Sequence, residues 1–154
     1  MSSAAVRKKA GRYLSVLPDI DALHRHFADS ITDEIVANNR KNLPTKLILP
    51  VGPVVQYPLL AERVNAEKIS LKSCWFFMMD EHCDDDGNVV PPDHPLGFRF
   101  AFDREFTQRV GKSLMIPEEQ LVFPDHRNLR NLKKKIAEVG GIDTTYGGIG
   151  IHGH

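Results

Sequence analysis

Cys74-Trp75-Phe76-Phe77-Met78-Met79-Asp80-Glu81-His82 is the stretch on which the fold turns. Its apolar residues run without alternation and stop at two acids and a histidine. An alternating strand has one dry face. An unbroken apolar strand is covered on both, as in a parallel sheet sandwiched between helices. Asp80 and Glu81 then stand at the carboxyl end of that strand, where open α/β sheets bind their ligands.

The neighbouring segments agree with this reading. Upstream, Lys46-Leu47-Ile48-Leu49 is a short apolar run ended by Pro50, and reads as a second buried strand. Gly52-Pro53 turns the chain, and Tyr57-Pro58 places a proline in the first turn of a helix that carries Leu60 and Val64. Earlier still, Ile20, Leu23, Phe27, Ile31 and Ile35 recur at helical steps, with Asp19 as N-cap, predicting a helix to about Asn39. Tyr13 to Leu17 predicts a short first strand. Downstream, Cys83 to Pro95 is loop, and Phe98, Phe102 and Phe106 step along a further helix. Leu121-Val122-Phe123 predicts a strand. Pro124-Asp125 opens a helix with Leu129, Leu132, Ile136 and Val139 inward, closed by Gly140-Gly141. Thr144 to Ile151 predicts the last strand. Alternating strands and helices predict a single α/β domain over 1–154, layered helix–sheet–helix on a mostly parallel sheet.

The composition is that of one globular unit: 154 residues, 42% apolar, with 20 basic against 20 acidic side chains. Zero net charge argues against a nucleic-acid partner, which asks for a basic face. No apolar run approaches the roughly 18 residues of a membrane helix, and the N-terminus carries no secretory core behind its basic residues. The two cysteines, Cys74 and Cys83, make no disulfide framework, and the expected compartment is the reducing cytoplasm.

Four segments carry chemistry-bearing residues. Asp80-Glu81-His82 puts carboxylates over the sheet crevice, where desolvation lifts a carboxyl toward the range of a general base. Gly148-Ile149-Gly150-Ile151-His152-Gly153-His154 combines glycines, whose amides can face an anion or a sugar hydroxyl, with two histidines able to move protons near neutral pH. Two histidines fall short of a metal set, so no metal is expected. Leu49-Pro50-Val51-Gly52-Pro53 is a strand–turn–helix junction of the kind that offers amides to a phosphate. Asp84-Asp85-Asp86-Gly87-Asn88 has the wrong spacing for a calcium loop and reads as a solvated acidic turn.

Taken in order, Leu49-Pro50-Val51-Gly52 with Tyr57, Met79-Asp80-Glu81-His82, His94-Pro95 before Phe98 and Phe102, and the terminal Gly-x-Gly-x-x-Gly-His turn resemble one family. It is that of the glucosamine-6-phosphate deaminases (isomerases), within the superfamily that includes the 6-phosphogluconolactonases. The resemblance implies a Rossmann-like three-layer αβα sandwich. It implies an enzyme of carbohydrate metabolism that turns an amino-sugar phosphate into a ketose phosphate and ammonia without a cofactor. By position, Asp80 matches the base that takes the C2 proton and His154 the histidine that assists ring opening. Pro50, Val51 and Gly52 match the phosphate turn, and Glu81, Gly148 and Gly150 flank the substrate.

Three departures stand out. The phosphate turn is shortened and contains Pro53, which has no amide to donate. His152 stands where the family commonly has an aspartate, and His82 where a tyrosine often follows. The resemblance implies that the chain is the N-terminal part of such an enzyme, truncated before a catalytic glutamate and later basic residues. Alone it is expected to be catalytically silent. It is also expected to expose a sheet edge and an apolar face, which favours homo-oligomers. The alternatives are a lactonase-like hydrolase and a sugar-phosphate sensor without turnover.

Overall fold

A computed structural model describes residues 2–150. Its centre is a four-stranded sheet of β1 (Thr45–Leu49), β2 (Cys74–Met78), β3 (Leu121–Val122) and β4 (Thr144–Thr145), in the order β3-β2-β1-β4. Every pairing is parallel. The architecture is therefore the α/β arrangement that the unbroken apolar run of β2 predicts.

The helices are α1 (Ser3–Ala10), α2 (Ile20–Asn39), α3 (Gln56–Ala66), α4 (Phe98–Phe102) and α5 (Leu129–Glu138). Asp19 caps α2 by accepting the Ala22 amide at 2.7 Å, as its position before the apolar steps predicts. α4 runs on through a π-helical turn over Asp103–Thr107, so the three phenylalanines share one rod. One face of the sheet, with Leu47, Leu49, Cys74, Phe76 and Met78, packs against Ile31 and Ile35 of α2, Tyr57 and Leu60 of α3, and Phe102 and Phe106. The opposite face carries α5, whose Lys135 ammonium sits 5.5 Å from the Trp75 ring. Burial pushes the Cys74 thiol up to about 12, so this cysteine is packing material.

Four expectations are corrected. The segment from Tyr13 to Leu17 is no strand; a 3-10 turn over Gly11–Tyr13 follows α1 there. Apolar residues at a chain end that pair with no strand have no ladder to join. Ile20 and Leu23 are exposed, because the first turn of α2 projects beyond the sheet and His24 is the first buried residue of that helix. Leu129 is likewise 59% exposed, while Leu132, Ile136 and Val139 are half-buried. The last strand shrinks to Thr144–Thr145, since the glycines that follow leave the ladder. Among the described residues, no helix is long and apolar enough to cross a membrane.

Candidate functional site

Parallel strands end on one side, and three of these ends converge. The Met79 amide donates to the Leu49 carbonyl at 2.9 Å, and the Tyr146 amide to the Ile48 carbonyl at 2.9 Å. The ladder thus continues one step past β2 and β4, so the β1 turn and Asp80 leave the sheet side by side on strands about 5 Å apart. With β4 on one side of β1 and β2 on the other, β1 is the topological switch point of the sheet, the place where ligands of such sheets bind.

The β1 turn is built from below. Pro50 and Val51 are buried, while Gly52 and Pro53 are exposed. Tyr57, at the start of α3, donates its hydroxyl to the Pro50 carbonyl. Its neighbour Gln56, fully buried, donates its amide to the Pro53 carbonyl. Two carbonyls of the turn are thereby held by interior donors, which keeps their negative ends off an incoming anion. The Gly52–Pro53 peptide is cis. A methyl group on Gly52 would meet nothing within 4 Å, so this glycine borders open space. Burial raises the Tyr57 hydroxyl above its ordinary value; Gln56 opposes the rise and the charge of Asp80 adds to it.

Asp80 is exposed at its rim yet carries a raised carboxyl. Partial burial is the main cause, the adjacent Glu81 charge adds to it, and His82 works against it. Glu81 has a different occupation from the substrate contact expected of it. Its Oε1 accepts the amides of Phe98 at 2.7 Å and His82 at 2.8 Å, and its Oε2 accepts that of Arg99 at 2.7 Å. It anchors the N-terminus of α4, where a carboxylate satisfies orphan amides and complements the helix dipole. The imidazole of His82 packs on Phe98, with ring centroids 4.5 Å apart.

Gly147 and Gly148 follow β4 directly. A Cβ on Gly147 would lie 3.4 Å from the Met79 methyl, so the glycine segment starts against the residue preceding Asp80. Gly150 is the last described residue; Ile151, His152, Gly153 and His154, including both expected histidines, lie outside the described residues. Three residues absent from the sequence reading hold this segment. The Tyr146 hydroxyl lies 3.0 Å from Ser30 Oγ and 3.3 Å from Glu34 Oε2, and Thr144 Oγ1 donates to Glu34 Oε1 at 2.8 Å. Burial raises the Tyr146 hydroxyl; Ser30 lowers it and Glu34 raises it further.

The acidic loop closes on itself. Asp84 Oδ1 accepts the amides of Asp86 at 3.1 Å and Asn88 at 2.8 Å, and Gly87 supplies the positive φ of the turn. Among the described residues no cluster of histidine, cysteine and carboxylate side chains could hold a metal. A cavity of about 210 Å³ lies beside Asp80, lined by Met79, Cys83, Val89, Pro124 and His126 among others.

No protein-family model matches the chain. It is similar to glucosamine-6-phosphate deaminases. It is 32% identical over 136 residues to that of Mannheimia succiniciproducens, covering 82% of this chain and 48% of the relative. It is 29% identical over 143 residues to that of Phocaeicola vulgatus, covering 88% and 52%, and 36% identical over 110 residues to that of Caenorhabditis elegans, covering 69% and 39%. The chain spans about half the length of the curated relatives it matches. Among solved structures it superposes on a monomeric glucosamine-6-phosphate deaminase with a TM-score of 0.74 at 19% identity, covering 90% of this chain and 55% of that one. On a 6-phosphogluconolactonase from Thermotoga maritima the TM-score is 0.59 at 21% identity, covering 82% and 57%. These superpositions establish the Rossmann-like fold common to deaminases and lactonases.

Proposed function

We propose, from the match of this chain to about half the length of glucosamine-6-phosphate deaminases, that it carries the base and phosphate turn of an amino-sugar phosphate deaminase. The observation that carries this reading is the pairing of a raised carboxyl at Asp80 with the anion-ready β1 turn on the adjacent strand. A sugar phosphate bound across them sets its phosphate at Pro50, Val51 and Gly52 and its C2 hydrogen toward Asp80. Asp80 takes the C2 proton of the opened sugar and returns it at C1, and water then releases the C2 nitrogen as ammonia, leaving a ketose phosphate. His154 assists ring opening, His152 shares its proton inventory, and Gly148 and Gly150 line the opposite wall. Every role rests on side chains and backbone amides, with no cofactor. A carboxyl with its affinity for protons raised is the better acceptor in such a step.

The test is an ammonia-release assay on glucosamine 6-phosphate in a full-length version of the protein, with Asp80→Asn alongside. Turnover that falls at least about a hundredfold in a folded Asp80→Asn protein supports the assignment. Hydrolysis of 6-phosphogluconolactone without ammonia release would move the protein to the lactonases. Sugar-phosphate binding with neither reaction would make it a sensor.

A further inference from the structure

The segment leading into the glycines has little sheet to hold it. β4 contributes two register pairs to β1, Leu47 with Thr144 and Ile48 with Thr145. So short a parallel ladder is weak by itself. α2 makes up the difference with one carboxylate. Glu34 Oε1 accepts from Thr144 at 2.8 Å and Glu34 Oε2 from Tyr146 at 3.3 Å, so the two oxygens grip alternate residues of one strand face. Ser30 lies 3.0 Å from the same tyrosine oxygen, and the tyrosine ring rests against Phe27 at 5.2 Å. Immediately after Tyr146 comes Gly147, which borders the Met79 methyl next to Asp80. A continuous path of contacts therefore joins α2 to the base: Glu34, Tyr146, Gly147, Met79, Asp80.

We propose that Glu34 and Tyr146 form a positioning pair that sets where Gly147 and Gly148 lie relative to Asp80, and thereby how tightly the site holds an amino-sugar phosphate. The ligand in this statement rests on the function proposed above; the geometric half does not. The hydroxyl of Tyr146 carries the effect, because the ring alone would keep the Phe27 contact. A glutamine at position 34 keeps both contacts, since its oxygen accepts from one hydroxyl and its amide donates to the other. An alanine loses both.

The experiment compares the unaltered chain with Tyr146→Phe, Glu34→Gln and Glu34→Ala, by residue-resolved amide exchange and by calorimetric titration with glucosamine 6-phosphate. In Tyr146→Phe and Glu34→Ala, exchange of the residue-146 amide, which donates to the Ile48 carbonyl just before Gly147, rises at least about tenfold while the β1 and β2 amides keep their protection. Affinity for the sugar phosphate falls about tenfold, the scale expected when a support behind a binding group is removed. Glu34→Gln restores both readouts to within about threefold of the unaltered protein. A lower melting temperature with unchanged exchange at the residue-146 amide and unchanged affinity would reduce the pair to packing and overturn the proposal. If the unaltered protein ignores glucosamine 6-phosphate, the proposed function fails by itself. The exchange readout then decides the positioning pair, and an unaltered rate at the residue-146 amide sinks it.

Discussion

Glu81 Oε1 accepts the backbone amide of Phe98 at 2.7 Å across 17 positions of sequence. Its second oxygen takes the Arg99 amide, so the acid beside the candidate base is the anchor of a helix. That helix carries Phe102, whose ring meets Tyr57 edge-on at 4.8 Å, and Tyr57 in turn supports the β1 turn. One carboxylate thus organises the site from behind.

Removing this anchor is expected to be costly. Glu81→Ala leaves two amides of α4 without their charged acceptor, a loss of about 2–3 kcal/mol in urea denaturation. Glu81→Gln retains one good acceptor and loses about half of that. A change under about 0.5 kcal/mol for Glu81→Ala would show that α4 is held elsewhere.

Asp80 should behave oppositely in stability and in function. Its carboxyl is raised in the folded chain, chiefly by burial, so the native state binds a proton there more tightly than the unfolded state does. Unfolding then releases protons in this window, and stability at this group falls as pH rises from its ordinary value through its raised one. Above that window the ionised carboxylate costs the fold stability. Asp80→Asn should therefore melt no lower than the unaltered protein at pH 7, while removing this group's share of the pH dependence of stability and, in a full-length version, lowering turnover. A markedly lower melting temperature would show that Asp80 stabilises the fold instead of burdening it. Asp125 gives the opposite sign. Burial pushes its carboxyl up, but the Asn128 and Arg127 amides and the Arg127 guanidinium outweigh this and leave it lowered. Its contribution is present above its ordinary range and lost as pH falls through the lowered value.

Arg63 ties α3 to α2 through two acids of α2, Asp29 at 3.1 Å and Asp33 at 2.7 Å, and also pairs with Glu67 at the end of its own helix at 2.7 Å. These partners are about half-exposed or more, so water and salt screen the cluster and each pair contributes little. Arg63→Met is expected to cost about 1 kcal/mol at low salt and less at 1 M NaCl. Arg63→Lys should recover only part of the loss, because a single ammonium cannot meet three carboxylates with a planar fork. A salt-independent loss would mean that the side chain acts by packing.

How much of this was legible in the sequence follows from the kind of signal each element leaves. β2 announced itself because an unbroken run of Trp75, Phe76, Phe77 and Met78 has no other economical burial, and Asp80 inherited its place from the end of that run. α2 was legible from its period and its Asp19 cap, but periodicity does not say how far a helix overhangs its sheet, so Ile20 and Leu23 read as core and are exposed. The occupation of Glu81 was hidden because its partners are backbone amides 17 and 18 positions away, which no side-chain pattern records. Glu34 was invisible for a related reason. It stands on the polar side of the α2 pattern, and its partner Tyr146 lies 112 positions later. The cluster exists only once β4 has been laid beside β1.

The last expectation concerns the hydroxyl of Tyr57. The side chain is fully buried, and its oxygen donates to the Pro50 carbonyl beneath the turn. Tyr57→Phe preserves the rings packed against Phe102 and Phe106 and removes that donor alone. The Pro50 carbonyl, now without its interior partner, costs about 1–2 kcal/mol if it stays buried. It escapes the cost by rotating toward water, which is toward the face where the phosphate is expected. A carbonyl turned outward meets a dianion with its negative end. Inorganic phosphate and glucosamine 6-phosphate should therefore both bind more weakly, by about tenfold for a contact worth about 1.4 kcal/mol. A neutral sugar lacking the phosphate should lose nothing. Titration of Tyr57→Phe with the three compounds separates the outcomes: equal losses for all three would indicate a general collapse of the site, and unchanged phosphate affinity would remove Tyr57 from the support of the turn.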